Sequence, residues 1–409
     1  MNKKEVKKAP TLRFKGFTND WEQHKLGDET NRIKSYSISH GFEVAEDTGT
    51  KYIHYGDIHT SKVKNINNID VLPNIKDNNY KPLKYGDVIV ADASEDYKGI
   101  ADACIVNTIS DSYKIVAGLH TIAFRPKSKL CSKFLYFYLS TDIFKHFGYK
   151  TGTGLKVFGI SYKELAKFKL KEPSVTEQKK IVKLLFLIEK AINLQQRKLN
   201  DLSSMKSALL QNIFPNTQGI KKIKLSTQEW NLQKISSIFK ERNQRNKNGM
   251  LLSVSISKGV YPFSENDRKD NSSNDKSNYK EVKINDLAYN SMRMWQGAVG
   301  VSKYNGIVSP AYTVITPKKE ENPNFYYYYF KNKRMLFNFR QHSQGLTSDT
   351  WNLKFPLFEK ILIQVPSDKE EEQRISSLFK QLDKSIDLNK IHIEKLTSIK
   401  QFLLQNMFI

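Results

Sequence analysis

From residue 177 to residue 213 the chain carries no proline or glycine, and its apolar positions return every three or four residues. One row reads Ile181, Ile188, Gln195, Leu202, Leu209, and the other Leu185, Ile192, Leu199, Lys206, Ile213. Two rows at that spacing make the a/d seam of a coiled coil on one long helix. The seam returns 194 positions later as Ile375, Leu382, Asn389, Leu396, Leu403 and Phe379, Ile386, Ile393, Lys400, Met407. Both stretches close on one phrase, LLQNIF at 209–214 and LLQNMF at 403–408. A gap-free match of 177–215 with 371–409 is an internal repeat, and repeats decide architecture before local readings do. Each stretch follows a proline, Pro173 or Pro366, with serine and acidic residues in the first turn. That predicts helices over 174–214 and 368–409.

The interruptions of the seam repeat as well. A carboxamide (Gln195, Asn389) breaks one row at its middle, and a lysine (Lys206, Lys400) breaks the other. Polar residues in a seam lower stability and set register and orientation. A repeated amphipathic helix must bury its stripe, and its own copy is the nearest partner. Antiparallel pairing brings the two carboxamides together and places Lys206 opposite Leu382 and Lys400 opposite Ile188. Each lysine is then expected to lay its stem on the apolar partner and send its ammonium to solvent or to a bound subunit.

What precedes each helix also repeats, more faintly. WEQHKL at 21–26 returns as WNLQKI at 230–235, and LKYGDVI at 83–89 as VKINDLA at 282–288. The second pair carries Gly86 or Asn285 at a turn, then Asp87 or Asp286. FLYFYL at 134–139 returns as FYYYYF at 325–330, and Gly154-Leu155 as Gly345-Leu346. The offsets vary, so frameworks persist while the intervening loops diverge. Alternating stretches such as GDVIVADA and AYTVITP predict strands, and the aromatic runs suit a helix packed on a sheet. The polar stretch at 264–279 has no core pattern and reads as a mobile loop.

Composition changes this picture through charge. The 66 Lys and Arg against 42 Asp and Glu leave +24, an excess that favours polyanions. The two cysteines, Cys104 and Cys131, have no ligand-spaced partners and read as buried thiols in a reducing cytosol. The N-terminal stretch has no apolar segment of a signal peptide, and nothing approaches a membrane span. The chain is expected in the cytoplasm.

Catalytic equipment is sparse. There is no GxxxxGK[ST] loop, no NPPY-type motif and no glycine-rich methyl-donor loop. Asp87 with Glu95 and Lys98 resembles the acidic-x-Lys arrangement of Mg²⁺-dependent nucleases, which keeps an autonomous nuclease as the alternative reading. The corresponding loop of the second copy, MRMWQG, lacks those carboxylates. It offers Arg293 and Gln296, able to make bidentate contacts with guanine and adenine edges; its counterpart SEDYKG offers Tyr97 and Lys98. KTGTGLKVFG at 150–159 and SQGLTSDTW at 343–351 could approach phosphate through backbone amides. Thr153, Lys156, Arg340 and Gln344 join these as candidate DNA contacts. No catalytic or metal-ligating set is assigned.

Two diverged basic modules, each followed by a copy of one heptad helix, resemble the specificity subunit of type I restriction–modification enzymes. The resemblance covers essentially the whole chain and rests on FTNDWEQHKLGD, on EPSVTEQKKI and PSDKEEEQRI opening the helices, and on LLQNIF and LLQNMF closing them. It implies an α+β fold: two similar target-recognition domains, 1–170 and 221–365, each reading one half of a split DNA sequence. It further implies that helical regions 171–220 and 366–409 pair as an antiparallel coiled coil with pseudo-twofold symmetry. They would space the half-sites and dock two modification (methyltransferase) subunits. About 33 residues of helix span roughly 50 Å, enough to hold the modules a helical turn or more apart on double-stranded DNA. S-adenosylmethionine, ATP and Mg²⁺ would serve the partner modification and restriction (translocase–nuclease) subunits, none being bound by this chain.

Overall fold

The computed structural model describes residues 9–60, 62–94, 100–154, 158–215, 223, 229–266, 275–318 and 321–409. The chain divides into two units, 1–195 with 392–409, and 196–391. Neither is a continuous piece of the chain together with its own following helix.

Unit 1 is built on a sheet with strand order Thr30–Ile33, Thr121–Pro126, Val88–Ala91, Ala103–Val106, Asn65–Ile66. All but the last pair are antiparallel. The apolar run VIVA at 88–91 is buried on both faces, as expected of a central strand. A second sheet pairs Lys114–Ala117 in parallel with Thr50–Ile53. The aromatic run forms helix α1 (Ser132–Leu139), and Thr141 caps the next helix, α2 (Asp142–Thr151), by accepting from the Phe144 amide. Strand Glu22–Lys25 pairs with Lys169–Glu172 and delivers the chain to a long helix, α3 (Val175–Asn212).

Unit 2 repeats this order. Its sheet runs Phe239–Glu241, Tyr312–Pro317, Leu287–Asn290, Val299–Val301, and its second sheet again holds one parallel pair, Met250–Leu251 with Gly306–Ile307. The second aromatic run forms α4 (Pro323–Phe330), followed by α5 (Lys333–His342). Strand Trp230–Lys234 pairs with Leu362–Pro366, which leads into α6 (Lys369–Asn406). The strands and helices read from GDVIVADA, AYTVITP and the two aromatic runs are all present. Positions 267–274 of the expected mobile loop lie outside the described residues.

The repeated closing phrase has its reason in the cores. In unit 1, Phe408 is buried against Trp21, Phe134 and Tyr138, with ring centroids at 6.5, 5.3 and 5.4 Å. In unit 2, Phe214 is buried against Trp230, Phe325 and Tyr329, at 6.2, 5.7 and 4.8 Å. Both cages are built from the same repeated words. Each helix therefore starts in one unit, with Ile181 and Leu185 or Ile375 and Phe379 in its core, and ends as core of the other.

Within each unit the two helical segments run antiparallel. In unit 2 the Lys206 ammonium lies 2.5 Å from Asp383, and in unit 1 the Lys400 ammonium lies 2.7 Å from Glu189. The seam lysines thus reach carboxylates one residue beyond the expected Leu382 and Ile188. Each ammonium is paired inside its helix pair and stays partly exposed. Asp383 also accepts from the Tyr328 hydroxyl at 2.8 Å. Glu189 and Asp383 are themselves equivalent by the 194-residue repeat, so one ion pair is written twice. Gln195 belongs to unit 1 and Asn389 to unit 2.

Among the described residues no helix is long and apolar enough to cross a membrane. Cys104 is buried, and desolvation pushes its thiol up; Cys131 is half-buried.

Candidate nucleic-acid interface

The turn after Leu287–Asn290 is closed by Gly297, whose φ of +86° favours a residue without a Cβ. It presents Arg293 exposed, its guanidinium donating to the Gln296 side-chain oxygen at 3.1 Å. The next feature in the surface is the loop at 343–353. Gln344 and Asn352 pair through two backbone hydrogen bonds of 3.0 and 2.7 Å, pinching the loop at its base. The Leu353 amide then donates to the Ser291 carbonyl at 2.9 Å, which ties loop to turn. Trp295 and Trp351 meet edge-on at 5.2 Å, and the Arg340 guanidinium lies 4.9 Å from the Trp351 ring centroid. These contacts join Arg293, Gln296, Arg340 and Gln344 into one surface with two tryptophans at its centre.

Lys331 supports that surface from below. Its ammonium donates to the carbonyls of Gly297 (2.5 Å) and Ile256 (2.8 Å), and burial pushes its pKa down to about 8. Arg293 also borders an open cleft of about 1170 Å³ on the second sheet, with Ser253, Ser255, Lys258 and Asn290. The carboxylates of Glu265 and Asp275 and the apolar side chains of Leu252, Val254 and Phe263 share that lining, so the cleft is mixed in character.

Unit 1 carries the same backbone pinch at the matching place. Thr153 and Gly159 pair through backbone bonds of 3.0 and 2.8 Å, and Thr153 is exposed. Gly154 has φ +142° and its counterpart Gly345 has φ +141°, so one backbone device serves both copies. Near it runs a ladder of rings: His40 on His54 at 4.1 Å, His54 on Tyr55 at 4.5 Å, Tyr55 on His120 at 5.3 Å. Burial pushes the His54 pKa down, and its Nδ1 accepts from the Gly56 amide. Sequence reading missed this ladder because its members are scattered from residue 40 to residue 120.

Asp87 is fully buried. It accepts from Arg125 at 2.8 and 2.7 Å and from the Lys84 amide at 2.6 Å. Asp286 is held the same way by Arg242, at 2.6 and 3.1 Å, and by the Lys283 amide at 2.8 Å. Both aspartates lock a turn whose preceding residue, Gly86 or Asn285, has φ of +85° or +72°. A carboxylate already filled by a guanidinium fork is not open to Mg²⁺. Glu95 and Lys98 lie outside the described residues.

Only one group of described residues clusters as metal ligands can: His24, Glu29 and Glu172. Both ring nitrogens of His24 face carboxylates, Nδ1 at 3.6 Å from Glu29 and Nε2 at 3.6 Å from Glu172 and 3.3 Å from Glu22. Burial first, and then Glu29, push the Glu172 pKa up to about 7.

The type I restriction modification DNA specificity domain matches this sequence twice, over residues 18–204 and 227–398. The chain belongs to that family. It is a specificity subunit, a non-catalytic DNA-recognition component of a type I restriction–modification system, with DNA and that complex as its partners. The fold is similar to a crystal structure of a type I restriction–modification system S subunit from M. genitalium. The TM-score is 0.59 at 13% identity, covering 98% of this chain and 99% of that one. A second solved chain belongs to a study of complex assembly and conformational transition of the type I R-M system. There the TM-score is 0.53 at 14% identity, over 96% and 98% of the two chains.

In this specificity subunit, four of the eight candidate DNA contacts (Arg293, Gln296, Arg340, Gln344) share one surface of unit 2. Thr153 sits on the equivalent loop of unit 1. Tyr97, Lys98 and Lys156 lie outside the described residues. Trp295 and Trp351 went unremarked, although each lies inside a stretch already singled out. Their mutual contact needs two segments 56 positions apart to meet.

Proposed function

We propose that unit 1 and unit 2 each read one half of a bipartite duplex DNA target, with the two long helices setting the distance between halves. The supporting observation is the shared loop device. Gly154 and Gly345 hold nearly the same backbone angle at matching places, while the side chains around them differ. Such a pair presents different groups to DNA from one frame, which suits two unlike half-sites.

In this reading Arg293 and Gln296 face base edges in the half-site of unit 2, while Arg340 and Gln344 position the backbone. The seam residues Ile181, Ile188, Gln195, Leu202 and Leu209, with Ile375, Leu382, Asn389, Leu396 and Leu403, hold the helices. Gln195 and Asn389, the polar breaks in the two seams, set the register. Two modification subunits dock on the repeated helices, flip an adenine in each half-site and methylate it with S-adenosylmethionine. Restriction subunits using ATP and Mg²⁺ join them, and the assembly works in the cytoplasm.

Methylome sequencing of the host with and without this gene tests the proposal. The expected result is loss of one bipartite adenine-methylation motif when the gene is removed. Loss of a continuous motif, or of none, would sink it. Cleavage of DNA by the purified chain with Mg²⁺ alone would restore the nuclease alternative, which the filled Asp87 carboxylate disfavours.

A further inference from the structure

Leu346 stands at the tip of the 343–353 loop and is fully exposed, with 101% of its reference surface in solvent. Single exposed leucines are ordinary on flexible segments, but this loop is built to hold its shape. Besides the Gln344–Asn352 pinch, the Thr347 amide donates to Thr350 Oγ1 at 3.1 Å. The amides of Thr350 and Trp351 donate to the Thr347 carbonyl at 3.0 and 3.1 Å. Gly345 has φ +141°, and a Cβ there would sit 2.6 Å from the Thr350 carbonyl oxygen. The glycine is therefore required by the closed loop, and the closed loop presents the leucine.

We propose that Leu346 is an apolar wedge that enters the half-site bound by unit 2 and contacts or parts a base step there. This rests on the reading of unit 2 as a DNA-recognition module. Duplex DNA is the favoured occupant because the loop's own Trp351 packs on Arg340 and on Trp295 of the turn that carries Arg293, on a chain of net charge +24. Apolar side chains inserted at base steps are an established way for cationic surfaces to kink a duplex. A preformed loop loses little freedom on binding, so the area Leu346 buries goes largely into affinity. Leu155 holds the same place in the sequence of unit 1.

The test uses the assembled methyltransferase and the target found by methylome sequencing. 2-Aminopurine is placed in turn at each step of the second half-site other than the methylated adenine. Wild-type protein should brighten one step, and Leu346→Ala should abolish that signal and weaken binding about 10- to 100-fold. Leu346→Met should restore both. The salt dependence of binding should not change, because no phosphate contact is removed. Wild-type affinity and signal in Leu346→Ala would overturn the wedge. Intact DNA binding by the specificity subunit with lost retention of the modification subunits would assign the tip to protein docking instead, which also overturns it. If removing the gene leaves every bipartite motif in place, the underlying reading fails, independently of any Leu346 result.

Discussion

Replacing Phe408 by alanine should destabilise unit 1, which is built mainly from the first 195 residues of the chain, and spare unit 2. Phe408 is 2% exposed and touches Trp21, Phe134 and Tyr138 within unit 1. Truncating a buried phenylalanine costs about 3–5 kcal/mol in lost transfer energy and residual cavity. Here three rigid rings line the hole and cannot easily collapse into it, which favours the upper half of that range. A domain of this size is stable by only about 5–15 kcal/mol. Native-state hydrogen exchange read by peptide mass spectrometry should therefore show protection falling roughly 1000- to 5000-fold across 121–126 and 132–139. Protection at 312–317 and 323–330 should hold. Phe214→Ala should give the reverse pattern, since Phe214 is packed on Trp230, Phe325 and Tyr329. Loss confined to 403–409 would mean simple fraying of a helix end. Equal loss in both units would mean that the cores are not partitioned as described. Either result refutes the reasoning.

Lys206→Ala should destabilise unit 2, and Lys400→Ala unit 1, each by about 1–2 kcal/mol, because each breaks a short charge-assisted hydrogen bond. A double-mutant cycle of Lys206 with Asp383 in urea should return a coupling of that order; a coupling near zero would count against the pairing. Glu172 has a folded pKa raised to about 7, so the native state holds its proton more tightly than the unfolded chain does. Stability of unit 1 should fall as pH rises from about 4.5 to 7, the cost being complete above that window. Glu172→Gln should accordingly stabilise unit 1 at pH 8, by up to about 3 kcal/mol, and hardly at all at pH 4; an unchanged pH profile would disprove the assignment. Alanine at Arg293 and Gln296 should alter only the half-site of unit 2, at about 1–3 kcal/mol per lost bidentate contact. Methylation mapping that shows a change in the other half-site would contradict this.

What sequence alone determined was everything that repeats. A helix seam is a local property: its period of about 3.5 residues and its polar breaks at Gln195, Lys206, Asn389 and Lys400 need no tertiary knowledge. The strand words, the aromatic helices and the paired GL loops were legible because a framework duplicated at similar spacing stands out against diverged loops. The chain's membership among DNA specificity subunits followed from the order of those words. Tertiary structure alone decided how the words are shared out. No pattern within 177–213 says that Phe214 belongs to a cage built from Trp230, Phe325 and Tyr329, or that Phe408 closes the domain in which the chain began. Lys206 looked free to leave the seam until Asp383 stood one position past Leu382. Asp87 resembled one carboxylate of the nuclease alternative until the fold carried Arg125 to it from a neighbouring strand. In unit 2 the equivalent carboxylate is filled by Arg242, just past strand Phe239–Glu241. The Trp295–Trp351–Arg340 surface and the exposed Leu346 likewise depend on segments far apart meeting. Local periodicity is written in successive residues, whereas pairing of charges and rings depends on distances that only the closed chain defines.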